Sequence, residues 1–498
     1  MIGPHLCPLI PVAYLFGALL VPLVGWRRGT AGWWTALATA AFAFGLAVSG
    51  LAWVMERGAV SYHLGGWMPP IGIEFVMDPL SAFLEVVISG IGLLAMVYAR
   101  RSVEHEIPDR LMPFSSLALL VLTGLTGMVI TGDLFNLYVF LEISALAGYA
   151  LIAVGERPAA YAAFRYLGMG TVGASFYLLG LAFLYMTHGT LNMADMSRLL
   201  AAGDLSATVA VGLLLIFMGA ALKMALFPMH GWLPDAYTHA SSAATALIAP
   251  IGTKVAGYIL LRVLLYLLGA GEKGSGLPLL SLLAYLGAAA VIYGSILAVC
   301  QSELKRMLAY SSVAQVGYIA IGVGLNSALG FTGAVLHILN HACMKACLFF
   351  VSGGLRLRLG HSRIPRFSNR LRRAMPWTSA AFALAALSMI GLPPTAGFFS
   401  KWYLALAAIE QSRWIFVVVL LLSSLLNAVY FFRVLERMYL DRPGAEPGAG
   451  DAAAAVKRES PPAMLLPAVA LASGLLVIGL GNAWIVERLI GPMIPGGM

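Results

Sequence analysis

The 498-residue sequence has few charged residues. Asp, Glu, Lys and Arg make up 11% of the chain, hydrophobic residues make up 60%, and the mean hydropathy is +0.87. A soluble globule cannot cover its surface with so little polar material, so we predict a polytopic membrane protein without a soluble domain. The net charge of +9 would suggest nucleic acid for a soluble chain, but here the basic residues lie in loops between apolar segments, and no nucleic-acid partner is expected.

Cysteine is also scarce. Cys7, Cys300, Cys343 and Cys347 form no CxxC pair and no Cys/His cluster with structural-zinc spacing. The pattern supports neither a disulfide framework nor an iron–sulfur site, so we expect no metal, no cofactor and no redox chemistry within the chain. The first apolar stretch, 6–24, lacks a preceding basic n-region and a small-residue cleavage site; we interpret it as a retained helix, with a cleaved leader as the alternative.

Apolar segments recur along the chain at lengths that can cross a bilayer. We predict an all-α polytopic membrane protein of about 14 transmembrane helices and number these spans 1 to 14 in chain order. Their ranges are 6–24, 33–54, 80–99, 111–130, 134–154, 161–186, 207–236, 243–268, 278–299, 307–325, 329–353, 376–408, 415–435 and 464–480. The one linker-like stretch, 444–460, joins the last span to the others.

Spans 7 and 12 are too long and are interrupted by proline. The breaks read ALFPMHGWLP at 225–234 and IGLPPTAGFFSK at 390–401. Proline removes a backbone donor and frees carbonyls that lipid cannot satisfy, so a broken helix must face protein or a wet cavity. Matching breaks in two halves are typical of a transport site.

A short echo supports a repeat of about five spans. Gly148-Tyr149 closes span 5 as Gly317-Tyr318 closes span 10, which places Ser311 where Glu142 stands. The breaks are also five spans apart. We therefore expect two related halves.

The basic residues predict the orientation. Of the 31 Lys and Arg, 21 fall in loops after odd-numbered spans and five in the other loops. By the positive-inside rule, both termini lie outside the cytoplasm. The arginine-rich loop at 356–373 mainly marks topology, with anionic lipid or a partner subunit as a second use.

Charged residues inside the spans are the best indication of function. Glu142, Lys223, Lys254, Lys345 and Lys401 lie in otherwise apolar stretches. A charge there is costly and is rarely kept without a use, and a row of titratable groups is what a proton relay needs. We interpret Glu142 as the cross-helix partner of Lys223; a protonated glutamate bonded to a neighbouring helix is the alternative. We expect the carbonyls freed at the first break to accept the Lys223 ammonium.

A titratable stripe follows in span 11. His337, His341 and Lys345 are spaced i, i+4, i+8 and share one helix face. The spacing of the two histidines could hold zinc, but no HExxH glutamate or third ligand is present. Core histidines with satisfied hydrogen bonds are a second alternative, and proton transfer is the leading interpretation.

The remaining polar residues have weaker assignments. His230 and His239 flank the first break and fit either helix-end hydrogen bonds or relay duty. Arg262 fits an interfacial anchor as well as a functional group, Asp133 fits a helix cap, and Glu85 has no assigned role.

One motif fails its context. Gly168, Gly170 and Gly173 spell GxGxxG. This dinucleotide fingerprint needs a preceding strand and an acidic ribose partner, and both are missing here. We expect these glycines to serve close helix packing instead.

Five strings resemble the antiporter-like proton-translocating family shared by Mrp-type sodium/proton antiporters, respiratory complex I and membrane-bound hydrogenases. They are GDLFNLYVFLEI (132–143), LKMALFPMHGWLPDAYTHASSAATALI (222–248), QSELKRMLAYSSVAQVGY (301–318), HILNHACMKACLFFVSG (337–353) and GLPPTAGFFSKW (391–402). The first string and the chain length look most like the D-type branch of the Mrp antiporter subunits.

The resemblance implies a fold and roles for the buried residues. It implies 14 helices with two inverted five-helix repeats, spans 4 to 8 and 9 to 13, and four parts: 1–110, 111–270, 271–440 and 441–498. Glu142 and Lys223 would form the ion pair of the input half and Lys254 would connect the halves. His337, His341 and Lys345 would lead to the exit residue, Lys401.

Three functions remain open from the sequence. The leading hypothesis is a subunit of the inner membrane that exchanges protons for sodium together with other membrane subunits. The first alternative is a proton-pumping subunit of a redox complex, which would make the chain part of a translocating enzyme. The second is a scaffold subunit that transports nothing.

Overall fold

The computed structural model describes residues 3–155, 158–203, 206–269, 277–440, 459–496 and 498. Within these ranges the chain is a bundle of helices, 13 of which are long and apolar enough to cross a membrane. A shorter apolar helix and the helix after it supply the predicted span 12. The predicted set of 14 spans is therefore accounted for.

The helix bounds follow the predicted spans closely. The transmembrane helices and the short helices between them are α1 (Leu6–Gly25), α2 (Gly29–Arg57), α3 (Pro79–Glu106), α4 (Leu111–Ile130), α5 (Leu134–Ala153), α6 (Ala159–His188), α7 (Met193–Ala202), α8 (Ala207–Met224), α9 (Leu233–His239), α10 (Ser242–Leu261), α11 (Leu279–Val299), α12 (Leu304–Gly324), α13 (Ala328–Leu359), α14 (Asn369–Ala374), α15 (Pro376–Ile390), α16 (Ala396–Glu410), α17 (Trp414–Tyr439) and α18 (Pro462–Leu480). Helix α10 continues as a π-helix over Arg262–Leu267.

Both predicted breaks are present. Span 7 divides into α8 and α9, and span 12 divides into α15 and α16. At each break a residue with left-handed backbone ends the first segment: Ala225, with φ of 59°, and Gly391, with φ of 93°. The chain then leaves the helix, and the carbonyls of the preceding turn need partners from outside it.

Close helix packing explains two of the three GxGxxG glycines. A Cβ on Gly170 would lie 1.9 Å from the Tyr149 hydroxyl, and a Cβ on Gly173 would lie 3.1 Å from Leu222. Gly168 has no heavy atom within 4 Å of its Cβ position. The packing interpretation therefore holds for Gly170 and Gly173 and is wrong for Gly168.

One β-hairpin, absent from the predicted elements, lies among the described residues. Strands β1 (Val60–His63) and β2 (Glu74–Met77) pair antiparallel between α2 and α3. The Glu74 carboxylate accepts a hydrogen bond from the Asn192 side chain at 2.7 Å, and the Glu74 carbonyl accepts one from the Gly132 amide at 2.8 Å. The hairpin thus ties together three loops at one end of the bundle.

The other end carries charged contacts between the ends of helices α6, α9 and α12. Arg165 and Arg306 both pair with Asp235, at 2.6 and 3.5 Å. We call this the basic end, and the end with the hairpin the opposite end. Several residues used for the orientation lie outside the described residues: Arg157, Lys273, Arg442, Lys457, Arg458 and linker residues 444–458.

Candidate functional site

The predicted pair of span 5 and span 7 forms. The Lys223 Nζ lies 3.7 Å from the Glu142 Oε1, and the lysine side chain is 7% exposed against 26% for the glutamate. Lys223 also donates a hydrogen bond to the Tyr149 hydroxyl at 3.2 Å. The ammonium is thus held by a carboxylate and a phenol from the same helix, α5, seven residues apart.

The predicted capture of Lys223 by freed carbonyls is wrong. The Trp232 indole donates to the Leu222 carbonyl at 3.1 Å, and the Ala225 amide bonds the same oxygen at 3.0 Å. Trp232 is held in place because its ring stacks on Tyr166 at 3.8 Å. An indole therefore satisfies the carbonyl freed at the first break, and Lys223 bonds the polar groups of α5 instead.

An internal cavity extends from Lys223 toward α10. Water-molecule centres can occupy about 50 Å³ of it, enough for a few waters at roughly 10–15 Å³ each. Its lining includes Lys223, Tyr166, Trp232, Tyr237 and Thr253. Thr253 immediately precedes Lys254, so the cavity connects the first ion pair to the helix of the connecting lysine.

Lys254 is buried without a carboxylate. Its side chain is 1% exposed, and its Nζ donates to the Ala249 carbonyl at 2.7 Å, one turn earlier in α10. It interacts electrostatically with His337, His341 and Lys345. The structure therefore places Lys254 near the titratable stripe of α13.

Lys345 is held by α12. Its Nζ donates to the Leu308 carbonyl at 2.8 Å and to the Ser311 hydroxyl. Ser311 is the residue that the repeat echo places at the position equivalent to Glu142. A hydroxyl and a carbonyl therefore serve here where the first half uses a carboxylate.

The two histidines form a stack that leads toward α16. The rings of His337 and His341 are 5.7 Å apart, and the ring of Tyr318 lies 5.2 Å from His337. The His337 Nδ1 and the Ser400 hydroxyl are 3.0 Å apart. Both histidines are fully buried, and neither ring nitrogen of His341 has a hydrogen-bond partner among the described residues. Because His341 is not satisfied, the core-histidine alternative does not describe it.

Lys401 makes the contact that was expected for Lys223. Its Nζ donates to the carbonyls of Met389 and Ile390, at 2.9 and 3.0 Å, and to the Ser424 hydroxyl at 3.2 Å. These two carbonyls belong to the last turn of α15, before the break. The ammonium also lies 5.1 Å above the Tyr318 ring, a distance at which a cation is attracted by the aromatic face.

His230 and His239 are not joined to this row by any described hydrogen bond. His230 packs against the rings of Phe227 and Tyr293, at 5.7 and 5.0 Å. His239 is half-buried at the end of α9, where it interacts with the charges of Asp235 and Arg306. His239 therefore lies at the basic end, near the surface.

Two other polar residues have structural contacts. Arg262 pairs with Asp78 at 2.5 Å and donates to the Tyr258 hydroxyl at 2.7 Å. Asp133 accepts the Asn136 amide at 2.7 Å and caps α5, as predicted.

Sequence reasoning missed the tyrosine and serine side chains that contact the row. Tyr149, Tyr318, Ser400 and Ser424 all contact the row. The Gly-Tyr echo did mark Tyr149 and Tyr318 as equivalent positions. Each of these tyrosines faces the lysine of the broken helix in its own half, so the echo marks the site as well as the repeat.

Comparisons with known proteins identify the family of the chain. The family model described as NADH:quinone oxidoreductase/Mrp antiporter, TM, matches residues 131–427. The chain is 47% identical to the NADH-quinone oxidoreductase subunit N of Desulforudis audaxviator, over 99% of this chain and 98% of that one. It is 31% identical to the D-type subunit of the Na(+)/H(+) antiporter of Alkalihalophilus pseudofirmus, over 76% of each.

A solved structure shows the same fold. A chain of the membrane-bound sulfane sulfur reductase, an archaeal respiratory membrane complex, superposes with a TM-score of 0.88 and 30% identity, covering 98% of each chain. The predicted resemblance is confirmed. This chain belongs to the membrane-subunit family that NADH:quinone oxidoreductases and Mrp antiporters share.

Proposed function

We propose that this chain conducts protons through the interior of a multi-subunit membrane complex. The observation that carries the proposal is a row of buried amines and imidazoles, each held by a polar group or stacked on the next ring: Lys223, Lys254, Lys345, His341, His337 and Lys401. Uncompensated charges are expensive inside a membrane, and buried titratable groups there are typical of proton relays.

The first pair would act as the input. A proton that reaches Glu142 neutralises the carboxylate, and among the described residues the Tyr149 hydroxyl at 3.2 Å is then the remaining hydrogen-bond partner of Lys223. The lysine is thereby free to move its ammonium toward the cavity on the side of Thr253. Each later transfer passes one proton from a charged group to a neutral one.

The second half would carry the proton to the exit. Lys254 and Lys345 both interact with His341, whose ring nitrogens have no competing hydrogen bond within the described ranges. The ring of His337 stacks on His341 and contacts the Ser400 hydroxyl. Ser400 immediately precedes Lys401 in α16. His239, on the surface of the basic end, is a candidate for proton uptake.

The orientation and division of the chain belong to the same proposal. The basic end would face the cytoplasm, both termini would lie on the other side of the inner membrane, and other membrane subunits would cover part of the bundle. The two antiporter-like repeats would occupy 111–270 and 271–440, with 1–110 and 441–498 packed beside them.

For the parent complex, two candidates have support. The 47% identity to a subunit named for NADH-quinone oxidoreductase favours a redox complex, in which electron transfer in other subunits drives the proton. The 31% identity to a subunit named for a Na(+)/H(+) antiporter favours exchange with sodium. Chains that purify with a tagged copy distinguish the two: iron–sulfur subunits indicate the redox complex, and small hydrophobic subunits alone indicate the antiporter.

The transport role is tested in inverted vesicles that carry the assembled complex. Glu142→Ala and Lys223→Ala should abolish formation or collapse of the pH gradient while the subunit stays in the membrane complex. Arg198→Ala is a matched control, because Arg198 is a 78% exposed cation paired with Asp195 on α7, and it should leave transport unchanged. Native transport in both site variants would refute the role, and loss of assembly without a separate transport defect would support the scaffold alternative.

A further inference from the structure

Helix α3 carries a buried carboxylate that the proton row does not use. Glu85 is 0% exposed, and neither of its carboxylate oxygens has a hydrogen-bond partner among the described residues. None of the described Lys, Arg or His side chains forms an ion pair with it. An ionised carboxylate in such a place is too costly to persist, so Glu85 holds a proton.

Glu85 belongs to a polar stripe on one face of α3. Ser81, Glu85 and Ser89 are spaced four residues apart, and all three are fully buried. Across from them in α1, Tyr14 and Cys7 interact electrostatically with Glu85. Neither the Tyr14 hydroxyl nor the Ser89 hydroxyl has a hydrogen-bond partner among the described residues. The Tyr14 and Ser89 hydroxyls are therefore available to receive or donate a proton beside the acid, whereas the Ser81 hydroxyl bonds the backbone of Asp78.

The stripe leads to the opposite end of the bundle. Asp78 precedes α3 and lies seven residues, roughly 10 Å along the axis, from Glu85. It pairs with Arg262, which bonds the Tyr258 hydroxyl, and Tyr258 interacts with both Asp78 and Glu85. The Tyr258 hydroxyl donates to the Val129 carbonyl at 2.6 Å, and arginine keeps its proton, so Asp78 is the group of this cluster that can accept one.

A cavity opens at the ion pair. It has a volume of about 380 Å³, and its lining includes Asp78, Tyr266 and Met493. Burial acts to raise the pKa of Asp78, but the adjacent Arg262 guanidinium holds that pKa below its usual value. Asp78 thus stays charged, lines the cavity and can hold a proton only briefly.

We propose that Glu85 is a second proton-binding site, outside the row of the two repeats, which exchanges its proton with the opposite end of the bundle along α3, toward Asp78. The site rests on the proposed proton conduction and adds a branch to it along α3. Its ligand is the proton itself, since the site offers one carboxyl group, hydroxyls and a thiol and no second charge.

The test uses the assembled complex with Glu85→Gln, which keeps the shape of the protonated acid and cannot release a proton. Proton transport per assembled complex should fall on the order of 100-fold, as for loss of a positioned proton-transfer group. Glu104→Gln is the matched control, because Glu104 is on the same helix in surface ion pairs with Arg100 and Arg101, and it should transport normally.

Infrared spectroscopy gives a second measurement that does not depend on transport. The carbonyl stretch of a protonated carboxyl group should be present in the native complex, missing in Glu85→Gln and shifted in D₂O as the proton exchanges. If Glu85→Gln fails to assemble, the Glu85→Asp variant identifies the band by shifting its frequency, and the presence or absence of a further shift in D₂O then shows whether the proton exchanges.

The outcomes separate the two proposals. Native transport in Glu85→Gln, or a Glu85 band that does not shift in D₂O, overturns this inference. If Glu142→Ala is inactive at the same time, the proposed function still stands; if Glu142→Ala and Lys223→Ala are active as well, the proposed function is also overturned.

Discussion

Replacing Lys401 separates the structural use of a buried cation from its use as a proton carrier. Its ammonium donates to two carbonyls at the end of α15 and to Ser424. Lys401→Met leaves both carbonyls without this donor. The Met389 carbonyl keeps a donor, the Asn427 side-chain amide at 3.2 Å, so among the described contacts only the Ile390 carbonyl is left unsatisfied. At about 1–3 kcal/mol for an unsatisfied buried acceptor, the loss in stability is roughly 1–3 kcal/mol.

Lys401→Arg has a different expected result. A guanidinium keeps several donors for the same carbonyls, so the break stays closed and the complex assembles. However, arginine does not give up its proton in proteins, so transport should fall by about 10²–10⁴-fold, the contribution typical of a proton-transfer group.

The assay combines thermal unfolding of the purified complex with proton transport in vesicles, at equal amounts of protein. Arg433→Lys is a control, since Arg433 also donates to backbone carbonyls, of Val299 and Gln301, and is half-buried near the end of α17. It should leave transport unchanged. Native transport in Lys401→Arg would refute the reasoning, because it would show that transport does not require the side chain at position 401 to release a proton.

Two further predictions concern the first half. Gly170→Ala should displace the Tyr149 hydroxyl, since the added Cβ would lie 1.9 Å from it and 3.4 Å from the Lys223 ammonium; transport per assembled complex should fall, and a native rate would contradict the role of Tyr149. For the Glu142–Lys223 pair, Coulomb's law at 3.7 Å with an effective dielectric constant of about 20 gives an interaction of roughly 4–5 kcal/mol. Because the two residues are coupled in this way, the losses of transport in Glu142→Gln and Lys223→Met should not add. A double variant whose loss of transport equals the two single losses combined would show that the residues act independently.

The fold could be predicted from the sequence because hydropathy and proline determine most of it. Apolar runs of about 20 residues marked the spans, and the prolines at 228 and 393–394 marked both breaks. The hairpin of β1 and β2 could not be predicted in this way. Its strands are four residues each, and part of what fixes them is the contact of Glu74 with Asn192, which is 118 residues away in the chain.

The site could be predicted in its charges but not in its partners. Glu142 and Lys223 stand out because each is a lone charge in an apolar run, and their pairing follows from opposite sign. Which lysine bonds the freed carbonyls depends on a competing donor, the Trp232 indole, which occupies the Leu222 oxygen. Such competition between donors from different segments is a property of packing and leaves no pattern in the sequence.

The second half holds its lysines with neutral oxygens. Lys345 bonds Ser311 and a carbonyl, and Lys401 bonds two carbonyls and a serine. A reagent that esterifies carboxyl groups can therefore inactivate the Glu142–Lys223 pair. The described partners of Lys345 and Lys401 offer it no carboxylate.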